Sequence, residues 1–256
     1  MKVTTAYLAL YNAAQACGWA AILALLAIGV AQRETPEQLY DRAAPLTKLV
    51  QGAALLDTLH AAVGLVPSSP AMTLMFWVGR GNALFAVTEP IAALHASWWA
   101  VAMLGAWAAA EVIRYPWYAA TTLGACPGWL TWLRYTMFIP LFPLGTLAEM
   151  ALMWAALPEL QSRRLYSLAL PNAYNWAFDY HVFIRIVLLL YPLLWWQLYS
   201  SLLRARAKKL GGGGSGSSKK GGSSASSSGN GGGDGARPPA ADILRQETRT
   251  KLLKAQ

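Results

Sequence analysis

The sequence predicts an all-α, polytopic membrane protein whose six transmembrane helices form a bundle, followed by a disordered C-terminal tail. Hydrophobic residues make up 55% of the 256-residue chain and charged residues only 13%, against about 25% charged residues in soluble domains. Six apolar windows reach the roughly 20 residues that a spanning helix needs. Residues 211–235 are almost wholly Gly and Ser, which bury too little apolar surface to offset their ordering entropy. We therefore predict a transmembrane domain over 1–209 and a tail over 210–256.

Turn or charge signals separate the apolar windows. The first window follows Lys2 and exceeds the roughly 7 to 15 apolar residues of a signal-peptide core, so a first transmembrane helix is favoured over a cleaved signal. The windows are 6–31, 46–66, 72–90, 92–113, 130–156 and 180–203. The predicted loops are 34–42, 67–70, 89–90, 126–128 and 158–175. An even number of spans places both termini on the same side of the membrane.

The chain carries a net charge of +9, and much of its basic charge follows Leu203. Basic residues that flank a membrane span mark its cytosolic side, so we predict that both termini are cytosolic. This distribution favours a membrane flank over a nucleic-acid-binding surface. The two cysteines, Cys17 and Cys126, and the isolated His60 give neither a disulfide framework nor the spacing of a metal site. We expect no metal, no cofactor and no nucleic acid.

Polar residues recur in the predicted spans, and we expect them to face the interior of the bundle because lipid solvates them poorly. They are Asp57, His60, Arg80, Asn82, Glu89, Glu111, Arg114, Arg134 and Glu149. Asp57 and His60 are three residues apart and share a helix face, so this pair can satisfy itself locally. The same spacing applies to Glu111 and Arg114.

Glu149 is the strongest functional candidate, because it lies in an otherwise apolar segment. An ionisable group at the centre of a membrane helix costs roughly 2.5 to 3.5 kcal/mol on insertion scales, so such a group indicates a functional site. Pro140 and Pro143 precede it, and we expect them to kink the helix. Gly145 is expected to allow the close approach of a neighbouring helix or an acyl chain.

Short motifs between residues 7 and 210 follow one another in the order of a known family. They are Leu10-Tyr11-Asn12, Gly18-Trp19, the stretch 56–66, Ala106-Trp107, Glu111-Val112-Ile113-Arg114-Tyr115, Leu133-Arg134-Tyr135-Thr136, Pro143-Leu144-Gly145 with Glu149, Leu170-Pro171-Asn172, Phe178-Asp179-Tyr180, Tyr191-Pro192 and Gln197-Leu198-Tyr199. With this set the chain resembles the very-long-chain (3R)-3-hydroxyacyl-CoA dehydratases, the protein-tyrosine-phosphatase-like membrane proteins. The departures from the family are Asp57 for a Glu, Phe76 for a Gln, Gly79 for a Ser, and Phe142 for the catalytic Tyr.

The resemblance implies an enzyme of the endoplasmic reticulum membrane that converts a (3R)-3-hydroxyacyl-CoA into a trans-2-enoyl-CoA during fatty-acid elongation. It implies acyl-CoA as substrate, the other elongation enzymes and the lipid bilayer as partners, and no cofactor. Glu149 matches the family's catalytic glutamate, and Phe142 occupies the position of its catalytic tyrosine. The positions that the resemblance assigns to substrate binding are Arg114, Tyr115, Arg134, Tyr135 and Gly145.

The elimination needs a base for the Cα proton and an acid for the departing 3-hydroxyl, and Phe142 can serve as neither. A phenol from Tyr115 or Tyr118 is one replacement, and Glu149 acting with a bound water is another. Tyr135 lies some 21 Å from Glu149 along a straight helix, which is too far for the two to act together without a sharp kink. A weak or inactive paralogue that binds acyl-CoA as a scaffold stays open. A transporter with its site in broken helices is disfavoured, because the chain shows no internal repeat.

Overall fold

The described part of the chain is built from α-helices. The computed structural model describes residues 2–171 and 175–210, and these ranges form no β-strand beyond one isolated antiparallel bridge between Leu168 and Phe178. The helices are α1 (Val3–Ala31), α2 (Pro36–Ala53), α3 (Leu55–Ala62), α4 (Pro70–Gly81), α5 (Ala92–His95), α6 (Trp98–Thr122), α7 (Gly128–Arg134), α8 (Phe138–Arg163) and α9 (Tyr180–Leu210), with a π-helical segment, Asn82–Thr88, that continues α4. The all-α prediction is confirmed. The predicted disordered tail lies outside the described residues from residue 211 onward, as does Asn172 of the motif at 170–172.

Three helical stretches are long and apolar enough to cross a membrane by length and composition: Val3–Ala31, Gly128–Arg163 and Tyr180–Leu210. The predicted window 46–66 falls instead on α2 and α3, and the window 72–90 falls on α4 and its π-helical continuation. The apolar character expected of a membrane protein is therefore confirmed in three stretches. The total of six spans stays a prediction.

The first connection is shorter than predicted, because α2 begins at Pro36, inside the predicted loop 34–42. The hydroxyl of Thr35 accepts the backbone N–H of Gln38, and the Gln38 side chain accepts the backbone N–H of Thr35 at 2.9 Å. This reciprocal capping box, with a proline at the first helical position, is a strong helix start. The charged residues that indicated a loop therefore lie early in α2.

Arg42 of α2 reaches back to the connection between α1 and α2, where it forms an ion pair with Glu34. Its Nε donates to Glu34 at 2.9 Å, and its Nη2 donates to Gln32 at 3.0 Å. The hydrogen bonds from Arg42 hold the pKa of the Glu34 carboxyl below its ordinary value. One side chain thus ties the end of α1 to the start of α2.

The predicted span 130–156 is broken, because a turn at 135–137 separates α7 from α8. Pro140 falls in the first turn of α8, where a backbone N–H has no intrahelical acceptor and a proline is tolerated. Pro143 lies inside α8. In place of the kink expected from the two prolines, the helix is interrupted by the turn at 135–137, just before Pro140.

The predicted loop 158–175 is also too long, since α8 continues through Pro158 to Arg163. A proline inside a helix removes a hydrogen bond and crowds the preceding turn. Here the turn that follows Pro158 carries Leu160, which is fully buried in the core. Arg164 then ends the helix in the left-handed conformation, with a φ of 48°. Burial of the last turn outweighs the local signal of the proline.

Helix α6 is the centre of the packing, because it contacts α1, α8 and α2. Its buried positions include Met103, Leu104 and Trp107. Helix α9 packs mainly against α8, and most of its large apolar side chains are exposed, as expected of a face turned to lipid. Helix α8 therefore contacts both α6 and α9, and this arrangement positions the site described next.

Candidate active site

Glu149 is a buried carboxylate on α8 with a hydrogen-bond donor on each oxygen. Trp107 of α6 donates its indole N–H to Oε1 at 2.8 Å. Tyr191 of α9 donates its hydroxyl to Oε2. Hydrogen bonds to an ionised group are stronger than neutral ones, so the two donors hold the carboxylate in one orientation. Side chains from three helices thus meet at Glu149.

Gly145 lies one turn before Glu149 and lets α8 approach α6 closely. A β-carbon at position 145 would lie 3.7 Å from Cβ of Ala106 and 3.8 Å from Cδ1 of Trp107. These are ordinary van der Waals distances, so α6 fills the space beside the glycine. The close approach expected at Gly145 is made by α6, at the tryptophan that binds Glu149.

Arg80, at the end of α4, places a positive charge against the ring of Trp107. Its guanidinium carbon lies 4.3 Å from the centroid of Trp107 and 5.1 Å from that of Trp19, within the range of cation–π attraction. Its Nη1 donates to Glu111 at 2.5 Å. Its Nε and Nη2 are buried and make no hydrogen bond to any residue that the structure describes. Arg80 therefore keeps two unused donors next to the ring that binds Glu149.

A second polar cluster is built around Asp57 and Glu111. Arg114 donates from Nε to Glu111 at 2.6 Å, and its Nη2 lies 3.5 Å from Asp57. Tyr11 and Tyr115 donate their hydroxyls to the two oxygens of Asp57 at 2.8 and 2.9 Å. Arg80 of α4 donates to the remaining oxygen of Glu111, so each carboxylate oxygen of Asp57 and Glu111 has a donor. Buried charges require such pairing.

The nine polar residues that were predicted to face inward are all buried or half-buried. The local pairing predicted for Glu111 and Arg114 is confirmed. Asp57 and His60 do not pair with each other as predicted, because α1 offers each of them a phenol: His60 Nε2 lies 2.9 Å from the hydroxyl of Tyr7. Over residues 2–171 and 175–210, no group of three His, Cys, Asp or Glu is arranged to hold a metal ion.

Arg134 and Tyr135 form a separate group around Trp117 of α6. The guanidinium carbon of Arg134 lies 5.9 Å from the Trp117 ring centroid, and the Tyr135 ring centroid lies 6.3 Å from it. The positions that the resemblance assigned to substrate binding thus fall into three groups: Gly145 beside Glu149, Arg114 with Tyr115 in the cluster at Asp57, and Arg134 with Tyr135 beside Trp117.

Phe142 faces α9. Its ring is stacked against those of Trp195 and Tyr199, with 6.2 Å between ring centroids in each case and planes within 10° of parallel. The ring that stands in place of the family's catalytic tyrosine is therefore part of the packing between α8 and α9.

The phenol beside Glu149 is that of Tyr191, which sequence reasoning missed. Tyr115, one predicted replacement, is directed elsewhere, because its hydroxyl donates to Asp57 at 2.9 Å. The ring of Tyr118, the other predicted replacement, lies against Tyr115 with 6.4 Å between centroids. Tyr191 and Glu149 are 42 residues apart in the sequence, and no spacing rule links positions so distant.

The fold and the site define a helical protein with membrane-spanning character and a buried carboxylate held between an indole and a phenol. The chain belongs to the family of protein tyrosine phosphatase-like proteins, PTPLA, whose family model matches residues 51–212. The resemblance carried by the sequence motifs is thus confirmed.

Curated relatives of the chain share one enzyme name. The chain is 36% identical over 204 residues to very-long-chain (3R)-3-hydroxyacyl-CoA dehydratase 2 of Mus musculus, and the match covers 80% of each chain. It is 33% identical over 190 residues to the dehydratase PASTICCINO 2 of Arabidopsis thaliana, covering 74% of this chain and 86% of the relative. It is 36% identical over 207 residues to the dehydratase hpo-8 of Caenorhabditis elegans, covering 80% and 94%. No solved structure matches the chain.

Proposed function

We propose that the protein removes water from a (3R)-3-hydroxyacyl-CoA, giving a trans-2-enoyl-CoA, in very-long-chain fatty-acid elongation. The family and the names of the relatives support this hydro-lyase activity. One observation carries the assignment of the site: the Glu149 carboxylate is buried and has one donor on each oxygen. An ionisable side chain in an apolar, membrane-spanning segment is energetically costly, so its presence indicates a functional site.

Glu149 is the base that takes the Cα proton of the substrate. A general base acts from hydrogen-bond distance, and its geometry must be fixed before the substrate arrives. Trp107 supplies that fixation by holding Oε1. Oε2 accepts the hydroxyl of Tyr191, and it is the oxygen to which we assign the proton exchange. Burial of the carboxylate among α6, α8 and α9 keeps water away from the reacting atoms.

Arg80 stabilises the negative charge that develops on the thioester oxygen when the Cα proton leaves. Preorganised donors directed at developing charge are among the largest contributions to enzymatic rates. The two unused donors of Arg80 lie beside Trp107, whose N–H binds Glu149. Their position next to the base supports this assignment.

Substrate binding is assigned to the three groups of residues described above. Arg134, whose Nε is buried without a hydrogen-bond partner among the described residues, offers a cation for the polar part of an acyl-CoA. Arg114 and Tyr115 are held in place by Asp57 and form a fixed side of the substrate-binding site. Gly145 acts through Trp107, because it permits the approach of α6.

The protein acts in the endoplasmic reticulum membrane, spans it six times and keeps both termini in the cytosol. Three stretches of membrane-spanning character support a location in the membrane. The basic residues after Leu203 support a cytosolic C-terminus, and the six apolar windows of the sequence support an even number of spans. Its partners are the lipid bilayer and the other enzymes of elongation, which supply the 3-hydroxyacyl-CoA and consume the enoyl-CoA.

Phe142 favours a second candidate function, a weak or inactive paralogue that binds acyl-CoA as a scaffold of the elongation machinery. Loss of one acid–base group typically lowers a rate by about 10²- to 10⁴-fold. The ring of Phe142 stacks on Trp195 and Tyr199 of α9 and carries no group that can exchange a proton.

The deciding experiment is a dehydratase assay on the purified protein with a long-chain 3-hydroxyacyl-CoA, together with the variant Glu149→Gln. The amide keeps the shape of the side chain but cannot take up a proton at neutral pH, so turnover should be abolished. Glu159→Gln on the same helix is the control, because Glu159 is exposed and should be dispensable for turnover. Turnover in Glu149→Gln equal to wild type would refute the role of Glu149, and binding without turnover in the wild type would establish the scaffold.

A further inference from the structure

We infer that Tyr191 supplies the catalytic phenol that position 142 lacks in this chain. The inference rests on the proposed dehydratase function. Tyr191 is half-buried on α9, and its hydroxyl donates to Oε2 of Glu149. The other oxygen of the same carboxylate is occupied by Trp107. The phenol therefore lies on Oε2, the carboxylate oxygen that the indole does not hold.

The location of Tyr191 explains how one side chain substitutes for another. Phe142 stacks on Trp195 and Tyr199, which lie on α9 after Tyr191. Trp195 is four residues from Tyr191, a rise of about 6 Å along a helix. Position 142 and position 191 therefore contribute to the same α8–α9 interface, from opposite sides. A phenol lost from α8 is supplied across that interface by α9.

The pair can complete the elimination with balanced proton transfers. The Glu149 carboxylate takes the Cα proton, and the electrons of that C–H bond form the double bond between C2 and C3. The C3–O bond breaks, and the departing hydroxyl takes the proton of the Tyr191 hydroxyl and leaves as water. The Tyr191 phenolate then recovers a proton from the Glu149 carboxyl through the hydrogen bond between them. The products are the trans-2-enoyl-CoA and water, and both side chains return to their starting states.

Other phenols near the bundle interior are directed at other acceptors. Tyr115 donates to Asp57 at 2.9 Å, and Tyr180 donates to Asn82 at 2.6 Å. Tyr199 lies 3.4 Å from the backbone carbonyl of Ile139. Within residues 2–171 and 175–210, Tyr191 is the tyrosine whose hydroxyl donates to Glu149.

The test compares dehydratase turnover in four forms of the full chain: wild type, Tyr191→Phe, Phe142→Tyr, and the two substitutions combined. Tyr191→Phe should lower kcat by about 10²- to 10⁴-fold, the effect of one acid–base group. Phe142→Tyr alone should change kcat by no more than a few-fold, because a phenol is already present. The combined variant should regain at least about tenfold over Tyr191→Phe, since a phenol at either side of the interface serves the reaction.

Tyr180→Phe is the matched control, because it removes one hydrogen-bonded phenol from the same helix at a distance of 11 positions from Tyr191. It should retain wild-type kcat. An active wild type whose Tyr191→Phe variant is equally active would overturn the inference and leave the proposed function intact. A wild type that binds acyl-CoA without turnover would overturn both.

A second measurement covers the case in which Tyr191→Phe does not fold. Incorporating 3-fluorotyrosine at position 191 keeps the ring and hydroxyl but makes the phenol more acidic. The alkaline limb of the kcat profile against pH should move to lower pH in this form. An unchanged profile would overturn the inference, because a packing role for Tyr191 does not depend on the acidity of its hydroxyl.

Discussion

Trp107 donates its indole N–H to Glu149 across 2.8 Å and presents the face of the same ring to Arg80 at 4.3 Å. One side chain thereby joins a carboxylate at its edge and a guanidinium at its face. Arg80 in turn binds Glu111, so the Glu149 site and the cluster at Asp57 are connected through it. The geometry of the candidate base depends on this ring.

Replacing Trp107 with Phe should lower kcat/KM by roughly 10- to 100-fold. The ring face for Arg80 remains, while the N–H on Oε1 of Glu149 is lost. A hydrogen bond to a charged group contributes about 1.5 to 3 kcal/mol, which corresponds to that range. Steady-state kinetics on the purified variant measure the effect. Trp154→Phe, on the exposed face of α8, is the control and should match wild type. A wild-type rate in Trp107→Phe would show that Glu149 does not need the hydrogen bond from Trp107 in order to act.

Glu111→Gln should destabilise the protein far more than Glu159→Gln. Glu111 is buried and neutralises Arg80 and Arg114, and breaking a buried pair by removing one partner costs about 3 to 5 kcal/mol. The exposed pair of Glu159 with Arg163 contributes at most about 0.5 kcal/mol. Thermal unfolding midpoints in detergent compare the two variants. Equal midpoints would contradict the structural role of the Glu111 cluster.

A small side chain at position 145 should be tolerated, whereas a large one should displace Trp107. A β-carbon there meets Ala106 and Trp107 at ordinary distances, so Gly145→Ala should fold and keep most of its turnover. Gly145→Leu adds a branched side chain to the contact with α6 and should push Trp107 away from Glu149. Overpacking of this kind typically costs 1 to 3 kcal/mol. Turnover and thermal midpoint should both fall for Leu, and a Leu variant with wild-type kinetics would show that α6 is free to move aside.

Removal of residues 211–256 should leave insertion and turnover unchanged. The segment is rich in Gly and Ser, and the match to the family ends at residue 212. The control is a chain that ends after Trp196, which loses Tyr199 and its stacking on Phe142. Turnover in membranes from cells that express each form measures the difference. Loss of activity in the first truncation would reveal a function in the tail.

The helical composition and the position of the buried glutamate could be predicted from the sequence because both are local signals. The length and apolar character of α1 and the isolated charge of Glu149 are visible in a window of 20 residues. The start of α2 is also a local signal, the capping box of Thr35 and Gln38, but the charged residues next to it are equally typical of a loop. The contact of Tyr191 with Glu149 could not be predicted, since it is set by the docking of α9 on α8.

The ion pair of Arg80 with Glu111 was beyond sequence reasoning for the same reason. Glu111 has a local partner three residues away in Arg114, and that pairing was predicted correctly. Its second partner lies 31 residues earlier on another helix. Spacing rules describe one helix at a time, whereas a buried carboxylate with two oxygens draws donors from every helix packed around it.

The two donors of Glu149 are equally distant from it along the chain, Trp107 42 residues before and Tyr191 42 residues after. During synthesis, Trp107 has therefore already been made when Glu149 is added, whereas Tyr191 follows about 2 to 8 s later at ribosomal rates of roughly 5 to 20 residues per second. For that interval, the indole is the only one of the two donors that the chain contains. A nascent chain that stops short of α9 carries a half-bonded acidic group in lipid, so the last helix to be made is the one that completes the enzyme.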